Sequence, residues 1–457
     1  MIYKPFYGIT HRQNSNSEVY ENVDDLRALI REAVSSAFQL SGLNGKSPFN
    51  QFIPEGARVL LKPNWVLHTN QSGDTMKCMI TSPAFVEAVI AEVRECNASE
   101  IWIGDAPIQG CDWQQIVTPE IYEALKKAAG PVKLKIIDFR RTIIRDQMLD
   151  HQVATDVRPS SEYILFNLGQ RSMLEPISKP EGRFRVTMYD PRELQKNHSP
   201  GNHQYLLSRE AFEADVIINL PKLKTHRKAG MTGALKNLVG INGNKDYLPH
   251  HRIGGTLQEG DCYRGFSPVK RMVELLLDLA NQNIGKPPSR TYRKMAYKLL
   301  DAHHKLTGDR EIEGAWYGND TVWRMVHDIN RLLLYGNKDG TVSNKRQRTI
   351  WSLTDALVVG EREGPLAPHA RWLGVVTFGN NSLWLDRIHS YLMGLDPDRI
   401  SMLVPTAADD YPIISQEEMV DLIWLKGKSY NIRELARQIG IKAQPPKGWL
   451  NHCEWEK

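Results

Sequence analysis

The sequence predicts an α/β protein: a mostly parallel sheet with covering helices, a second smaller α/β portion and a helical insertion. Short apolar runs at 59–61, 101–103, 134–137 and 216–219 alternate with stretches of helical periodicity, the order that lays down parallel strands joined by crossover helices. The runs are four residues or fewer and bounded by turn formers such as Pro54, Gly56 and Pro63, which marks them as buried strands. A chain of 457 residues also exceeds one ordinary core, so two or three packed units are expected.

Along the chain, Leu26, Leu29, Ile30, Ala33, Val34, Ala37 and Phe38 follow one helical face over 24–40, with Ser41-Gly42 as the stop. Strand 59–61 follows, then a cap at Thr81-Ser82 with Pro83 at the first position of a helix over 84–96. Strand 101–103, helix 119–129 and strand 134–137 continue the alternation. Further strands are predicted at 163–166, 184–188 and 216–219, with a helix opening near Thr232. Residues 268–334 show helical spacing, strands 349–353 and 374–378 resume the α/β pattern, and a helix runs from about 380 to 393. The expected divisions are a main α/β domain over 1–265, a helical insertion or lid over 266–345, a second α/β portion over 346–406 and a helical tail over 407–457.

Composition excludes several classes. Apolar residues at 41% and charged residues at 24% describe a globular protein. The 58 Lys and Arg against 53 Asp and Glu leave an excess too small to imply nucleic acid, and no long basic stripe interleaved with aromatics is present. Five scattered cysteines with no C-x-x-C pattern fit a reducing compartment and supply no zinc or iron–sulfur site. Without a signal-like leader or a window of roughly 18 apolar residues, a cytoplasmic protein with no membrane partner is expected. Oligomeric state leaves no mark in the sequence.

Charge is concentrated instead. Lys222, Lys224, His226, Arg227 and Lys228 fall within seven positions, read as a basic loop after a strand and before a helix opening at Thr232-Gly233. Such a strand end and helix start favour an anion, with Gly230 and Gly233 permitting close approach of backbone to ligand. His226 and Lys236 are the expected catalytic groups, with Asp105 as an acid after strand 101–103 that equally serves as a cap. Lys62, Asn64, Lys222, Lys224, Thr232, Gly233 and Asn237 are the expected substrate contacts. Asp355, Glu361 and Glu363 form an acidic group that either holds Mg²⁺, balances the basic loop or is solvated in a turn. Asp386 on an apolar helix face is expected to meet an Arg or Lys. His303, His304 and His327 are read as surface or packing residues.

The string KTH at 224–226 followed by TGALKNLVG at 232–240 resembles the signature of the family named domain of unknown function 362. LLKPNWV at 60–66, GDAP at 104–107, TDALVVGEREGP at 354–365 and LWLDRIHSYLMGLDP at 383–397 agree with it, so the resemblance covers most of 60–403 and is weakest in the helical stretch after Gly265. Many relatives carry a ferredoxin-like iron–sulfur module; this chain lacks those cysteines, and no iron–sulfur cluster is expected. More distantly, the spacing of His226, Lys236 and His250 or His251 is similar to that in the amino-terminal domain of lactate racemase. That resemblance implies a Lys236 that tethers an organic nickel cofactor and histidines that ligate metal or carry protons, although Asn237-Leu238-Val239-Gly240 replaces the proline-glycine turn of racemases. Two functions follow: an enzyme acting on a small anionic metabolite, with metal or cofactor assistance possible, or a non-catalytic protein that holds an anionic ligand. A His and several Lys beside acids that could separate their pKa values favour the enzyme.

Overall fold

A computed structural model describes residues 4–13, 17–40, 46–144, 154–406 and 411–456. The helix stop at Ser41-Gly42 lies outside the described residues. Eleven strands form one sheet: β1 (Tyr7–His11), β2 (Arg58–Pro63), β3 (Glu100–Asp105), β4 (Lys133–Asp138), β5 (Val216–Leu220), β6 (Lys222–His226), β7 (Gly230–Thr232), β8 (Ile350–Glu363), β9 (Ala367–Gly379), β10 (Leu422–Leu425) and β11 (Lys428–Asn431). Their spatial order is β11-β10-β1-β9-β8-β5-β2-β3-β4, with β6 lying against β8 and β7.

The expected parallel core is present: β5 pairs with β2 from Val216↔Val59 to Leu220↔Pro63, and β2 with β3 from Arg58↔Glu100 to Leu61↔Ile103, both parallel. Two-residue periodicity splits each strand between two cores. Val59, Leu61, Ile101, Ile103 and Ile218 face a cluster with helices α1 (Val23–Phe38) and α2 (Pro83–Arg94). Leu60, Trp102 and Ile217 face the opposite cluster, which later helices cover.

Four expectations need correction. The basic loop is strand β6, buried along its whole length, because KLKTH alternates like a strand and pairs with β8 and β7. The helix at Thr232 starts later: Gly230–Thr232 is β7, and only the single turn α3 (Ala234–Asn237) follows. Strand 349–353 extends to Glu363, so Asp355, Glu361 and Glu363 lie on a long hairpin strand paired with β9 and not in a turn. The tail is not purely helical: β10 and β11 extend the sheet, joined through Lys426 and Gly427, both at positive φ. Two left-handed residues between paired strands are the tightest hairpin connection, and Gly427 makes one of them free of steric cost.

The helical insertion consists chiefly of α4 (Pro268–Gln282), α5 (Pro287–Thr307) and α6 (Val322–Tyr335), and α7 (Ser382–Leu392) follows β9. Asn381 caps α7 through the backbone N–H groups of Leu383 and Trp384. The expected cap of α2 takes another role: Ser82 makes no side-chain cap, and the Thr81 hydroxyl donates to the Leu220 carbonyl at 2.6 Å, tying α2 to β5.

Candidate functional site

Strand β6 brings Lys222, Lys224 and His226 to one face, since positions two apart share a side of a strand. The three then meet different partners. Lys222 Nζ lies 2.9 Å from Asp355 Oδ2 with both side chains fully buried, and donates to the Tyr20 hydroxyl at 3.1 Å. Tyr20 in turn donates to Asp355 Oδ1 at 2.5 Å. Lys224 donates to the Asn64 side-chain oxygen and to the Met79 carbonyl. It makes no ion pair among the described residues, and burial, then repulsion from Lys222, pulls its pKa down to about 7 against a smaller upward pull from Asp105.

Lys62 at the end of β2 pairs with Asp105 at the end of β3, Nζ to Oδ1 2.7 Å, and donates to its neighbour Pro63's carbonyl at 2.7 Å. The other Asp105 oxygen accepts the Trp65 backbone N–H at 2.6 Å. Asn237 closes the network: its Nδ2 donates to the carbonyl of Lys62 and to Asn219 Oδ1, and its Oδ1 accepts from Asn64 at 2.9 Å. Asp105 therefore neither caps a helix nor stands free as an acid. Lys62, Asn64, Lys222, Lys224 and Asn237 are engaged within the protein and form the site's internal frame.

The start of α3 is occupied as well. Asp386 on α7 accepts the backbone N–H groups of Ala234 and Leu235 at 2.6 and 2.9 Å, so the anion at this helix end is the chain's own carboxylate. The partner expected for Asp386 was Arg or Lys; it is His389, whose Nδ1 lies 2.9 Å from Oδ1. His389 Nε2 reaches Thr377 Oγ1 at 2.7 Å, which gives Asp386-His389-Thr377 the connectivity of a hydrolytic triad. All three are fully buried and Asp386 is spent on backbone amides, so the arrangement locks α7 to α3 and β9. Gly233 is required here by that carboxylate and not by a ligand: a Cβ would fall 2.0 Å from Asp386 Oδ1. Gly233→Ala should cost about 1–3 kcal/mol by overpacking, read as a lowered midpoint in urea unfolding; a variant as stable as its parent would place Asp386 elsewhere.

A second group of cations, Lys228, Lys236 and Lys245, makes no direct ion pair among the described residues; Glu313 and Asp261 act on Lys228 and Asp105 and Asp138 on Lys245 at longer range, and none acts so on Lys236. Lys236 is half-buried on α3, and no hydrogen-bond acceptor or carboxylate partners its ammonium among the described residues. Burial, then Lys245 and Lys228, lowers its pKa to about 7. His226, His250 and Lys224 all feel its charge, which places them in one electrostatic neighbourhood. His226 Nδ1 accepts the backbone N–H groups of Lys228 and Ala229 at 3.0 and 3.2 Å, and burial keeps the ring neutral. Its remaining proton is thus on Nε2, available as a donor. Lys245 donates to the Ala106 carbonyl at 3.1 Å, with burial lowering its pKa to about 8. The buried Thr232 hydroxyl has no hydrogen-bond partner among the described residues. Sequence reasoning passed over Lys245 and treated Lys228 only as part of a charge run. The signal for both was the density of cations on either side of TGALKN.

No ligand set supports the metal reading in this structure: among the described residues no three His, Cys, Asp or Glu side chains gather as one. His226 Nδ1 accepts backbone amides and His251 Nδ1 lies 3.4 Å from Lys228 Nζ, whereas His250 Nδ1 donates to the Leu248 carbonyl at 2.6 Å and so keeps its lone pair on Nε2. His251 also lines a cleft with Thr187, Cys262, Glu274, Arg293 and Glu313. Asp355 and Glu361 do not bind Mg²⁺ together: Asp355 holds Lys222, and Glu361 accepts the Gln444 N–H.

A model of a domain of unknown function (DUF362) matches residues 59–157 and 168–390. Over 189 residues the chain is 30% identical to a thylakoid-associated protein of Synechocystis sp., covering 41% of this chain and 40% of that relative. The chain thus matches well under two thirds of that relative's length. Among solved structures it is similar to a Thermotoga maritima protein (TM-score 0.33, 11% identity, 79% of this chain and 56% of that one). It is also similar to the lactate racemase apoprotein of Thermoanaerobacterium thermosaccharolyticum (TM-score 0.30, 10% identity, 80% and 55%). Neither likeness is close enough to assign a role to any residue. No helix among the described residues is long and apolar enough to cross a membrane.

Proposed function

The chain belongs to the family named domain of unknown function 362, a premise that assigns no activity, and we propose from the site's own chemistry that it is an enzyme acting on a small anionic metabolite held at Lys236. The observation that carries this reading is the uncompensated ammonium of Lys236, flanked by Lys228 and Lys245. Burying like charges together is costly unless a counter-charge arrives, and a carboxylate or phosphate ligand supplies it. The Nε2–H of His226 and the Thr232 hydroxyl are the neutral hydrogen-bonding groups of the same site. With its pKa near 7, Lys236 exchanges its proton at neutral pH, so it can act as general base or as amine nucleophile. No step is routed through a metal, because no three His, Cys, Asp or Glu side chains gather as a ligand set among the described residues.

One observation favours the second reading, a non-catalytic anion-binding protein: Asp105, the acid the sequence offered, is locked to Lys62 and the Trp65 N–H. Competitive acetylation across pH tests the site. Lys236 should titrate with a midpoint near 7, and inorganic phosphate should protect it selectively over exposed lysines. A Lys236 midpoint at the ordinary lysine value of 10.5, without protection, would remove the anion site. Protection without turnover across a panel of small carboxylates and phosphate esters would leave the binding reading.

A further inference from the structure

The chain's net charge is not spread evenly. Residues 268–310 hold nine Lys or Arg against four Asp or Glu, which matches the +5 of the whole protein in this one helical hairpin. Each acid there is already paired: Glu274 with Arg271, Asp278 with Arg185, Asp301 with Arg310 and Asp309 with Lys270. Exposed Lys286, Lys294, Lys298 and Lys305 are left without an ion-pair partner among the described residues. Positions 294, 298 and 305 are four and seven apart, so these lysines share one face of α5.

The same hairpin exposes apolar side chains where a solvated surface would not. Helix α4 buries Val273 and Ala280 on one side, yet Met272, Leu275 and Leu279, at i, i+3 and i+7, form a stripe on its outer side. Met272 is 51% exposed, Phe266 just before the helix 55%, and Leu306 at the end of α5 87%, with Met295 also exposed. A helix apolar on both faces calls for a second apolar medium.

We propose that this hairpin docks the protein onto an anionic lipid surface, with Met272, Leu275 and Leu279 entering the headgroup boundary and Lys294, Lys298 and Lys305 meeting lipid phosphates. Apolar side chains beside uncompensated lysines are the pattern of interfacial attachment. The stripe of Met272, Leu275 and Leu279 is aliphatic, which argues against a nucleic acid, whose bases stack on rings. The expectation of no membrane partner rested on the lack of a spanning segment, which bears on crossing a bilayer and not on lying against one.

The test is sedimentation of the full chain with phosphatidylcholine vesicles, with and without phosphatidylglycerol. Binding is expected to the anionic vesicles, weakened by salt, and little to phosphatidylcholine alone. A lysine near such a surface contributes about fivefold, so K294E/K298E/K305E should lower partitioning by a hundredfold or more. M272S/L275S/L279S should weaken binding at low and high salt alike. All these positions are solvent-facing, and unchanged thermal melting shows that the variants fold. Equal binding to both vesicle types, or retention by the lysine variant, would overturn the proposal. So would a concentration-dependent dimer abolished by the apolar variant, which would make a second copy the occupant.

Discussion

Asp355→Ala should destabilise the protein by about 3–5 kcal/mol, because it leaves Lys222 buried without a counter-ion. Both side chains are inaccessible to solvent and 2.9 Å apart, and Tyr20 bridges them with a hydroxyl that would lose its acceptor. Burial lowers the Lys222 pKa more than Asp355 raises it. In the variant the opposing pull is gone, so the loss should shrink toward alkaline pH as Lys222 becomes neutral. The double variant Lys222→Met, Asp355→Leu should recover most of the stability, since apolar residues of similar volume replace a buried pair at little cost. Urea unfolding of both single variants and the double variant measures the coupling directly. A single variant within 1 kcal/mol of its parent would mean that Lys222 reaches water or another acceptor.

Lys236→Met should move stability and ligand affinity in opposite directions. In the fold this lysine titrates near 7 against an ordinary value of 10.5, chiefly because of burial. At full burial that difference amounts to about 5 kcal/mol; partial exposure and screening reduce it to roughly 1–3 kcal/mol. The folded pKa is depressed, so stability is fully present above the unfolded value and is lost as pH falls through the folded value near 7. Parent protein should therefore weaken between about pH 10 and pH 7; the methionine variant should show a shallower slope, since Lys224 and Lys245 still contribute, and be the more stable at pH 6. Its affinity for an anion should drop ten- to a hundredfold, the loss of one charge-assisted hydrogen bond. Lys236→Arg should restore part of the affinity if the role is electrostatic and none of a nucleophilic function, because guanidinium stays protonated. Melting temperature from pH 6 to 10 and phosphate affinity on both variants decide it. A methionine variant destabilised at every pH, with unchanged affinity, would make Lys236 a packing residue.

Much of the frame could be read from local order. The parallel pairing of 59–61, 101–103 and 216–219 was legible because short apolar runs between helices have few other ways to bury themselves. The neighbourhood of the candidate site was legible too, since β6 and α3 are close in sequence. The strand character of β6 was also written there: KLKTH alternates polar and apolar or small residues, and charge density obscured it.

By itself, then, the sequence determined the α/β class, the family and the cluster of cations beside TGALKN, all of which depend on residues within a few turns of one another. Only the tertiary structure decided which cations are neutralised. Lys222 and Lys236 look alike in sequence, but Lys222 meets Asp355 and Tyr20, residues 335 positions apart, while Lys236 meets other cations. Likewise Gly233 read as room for a ligand until Asp386, 152 positions from Ala234, took the helix end. The period of a strand or helix is set by neighbouring dihedral angles. The compensation of a buried charge is set by whichever distant side chain the packed sheet brings within about 3 Å, and one sequence carries no local trace of that.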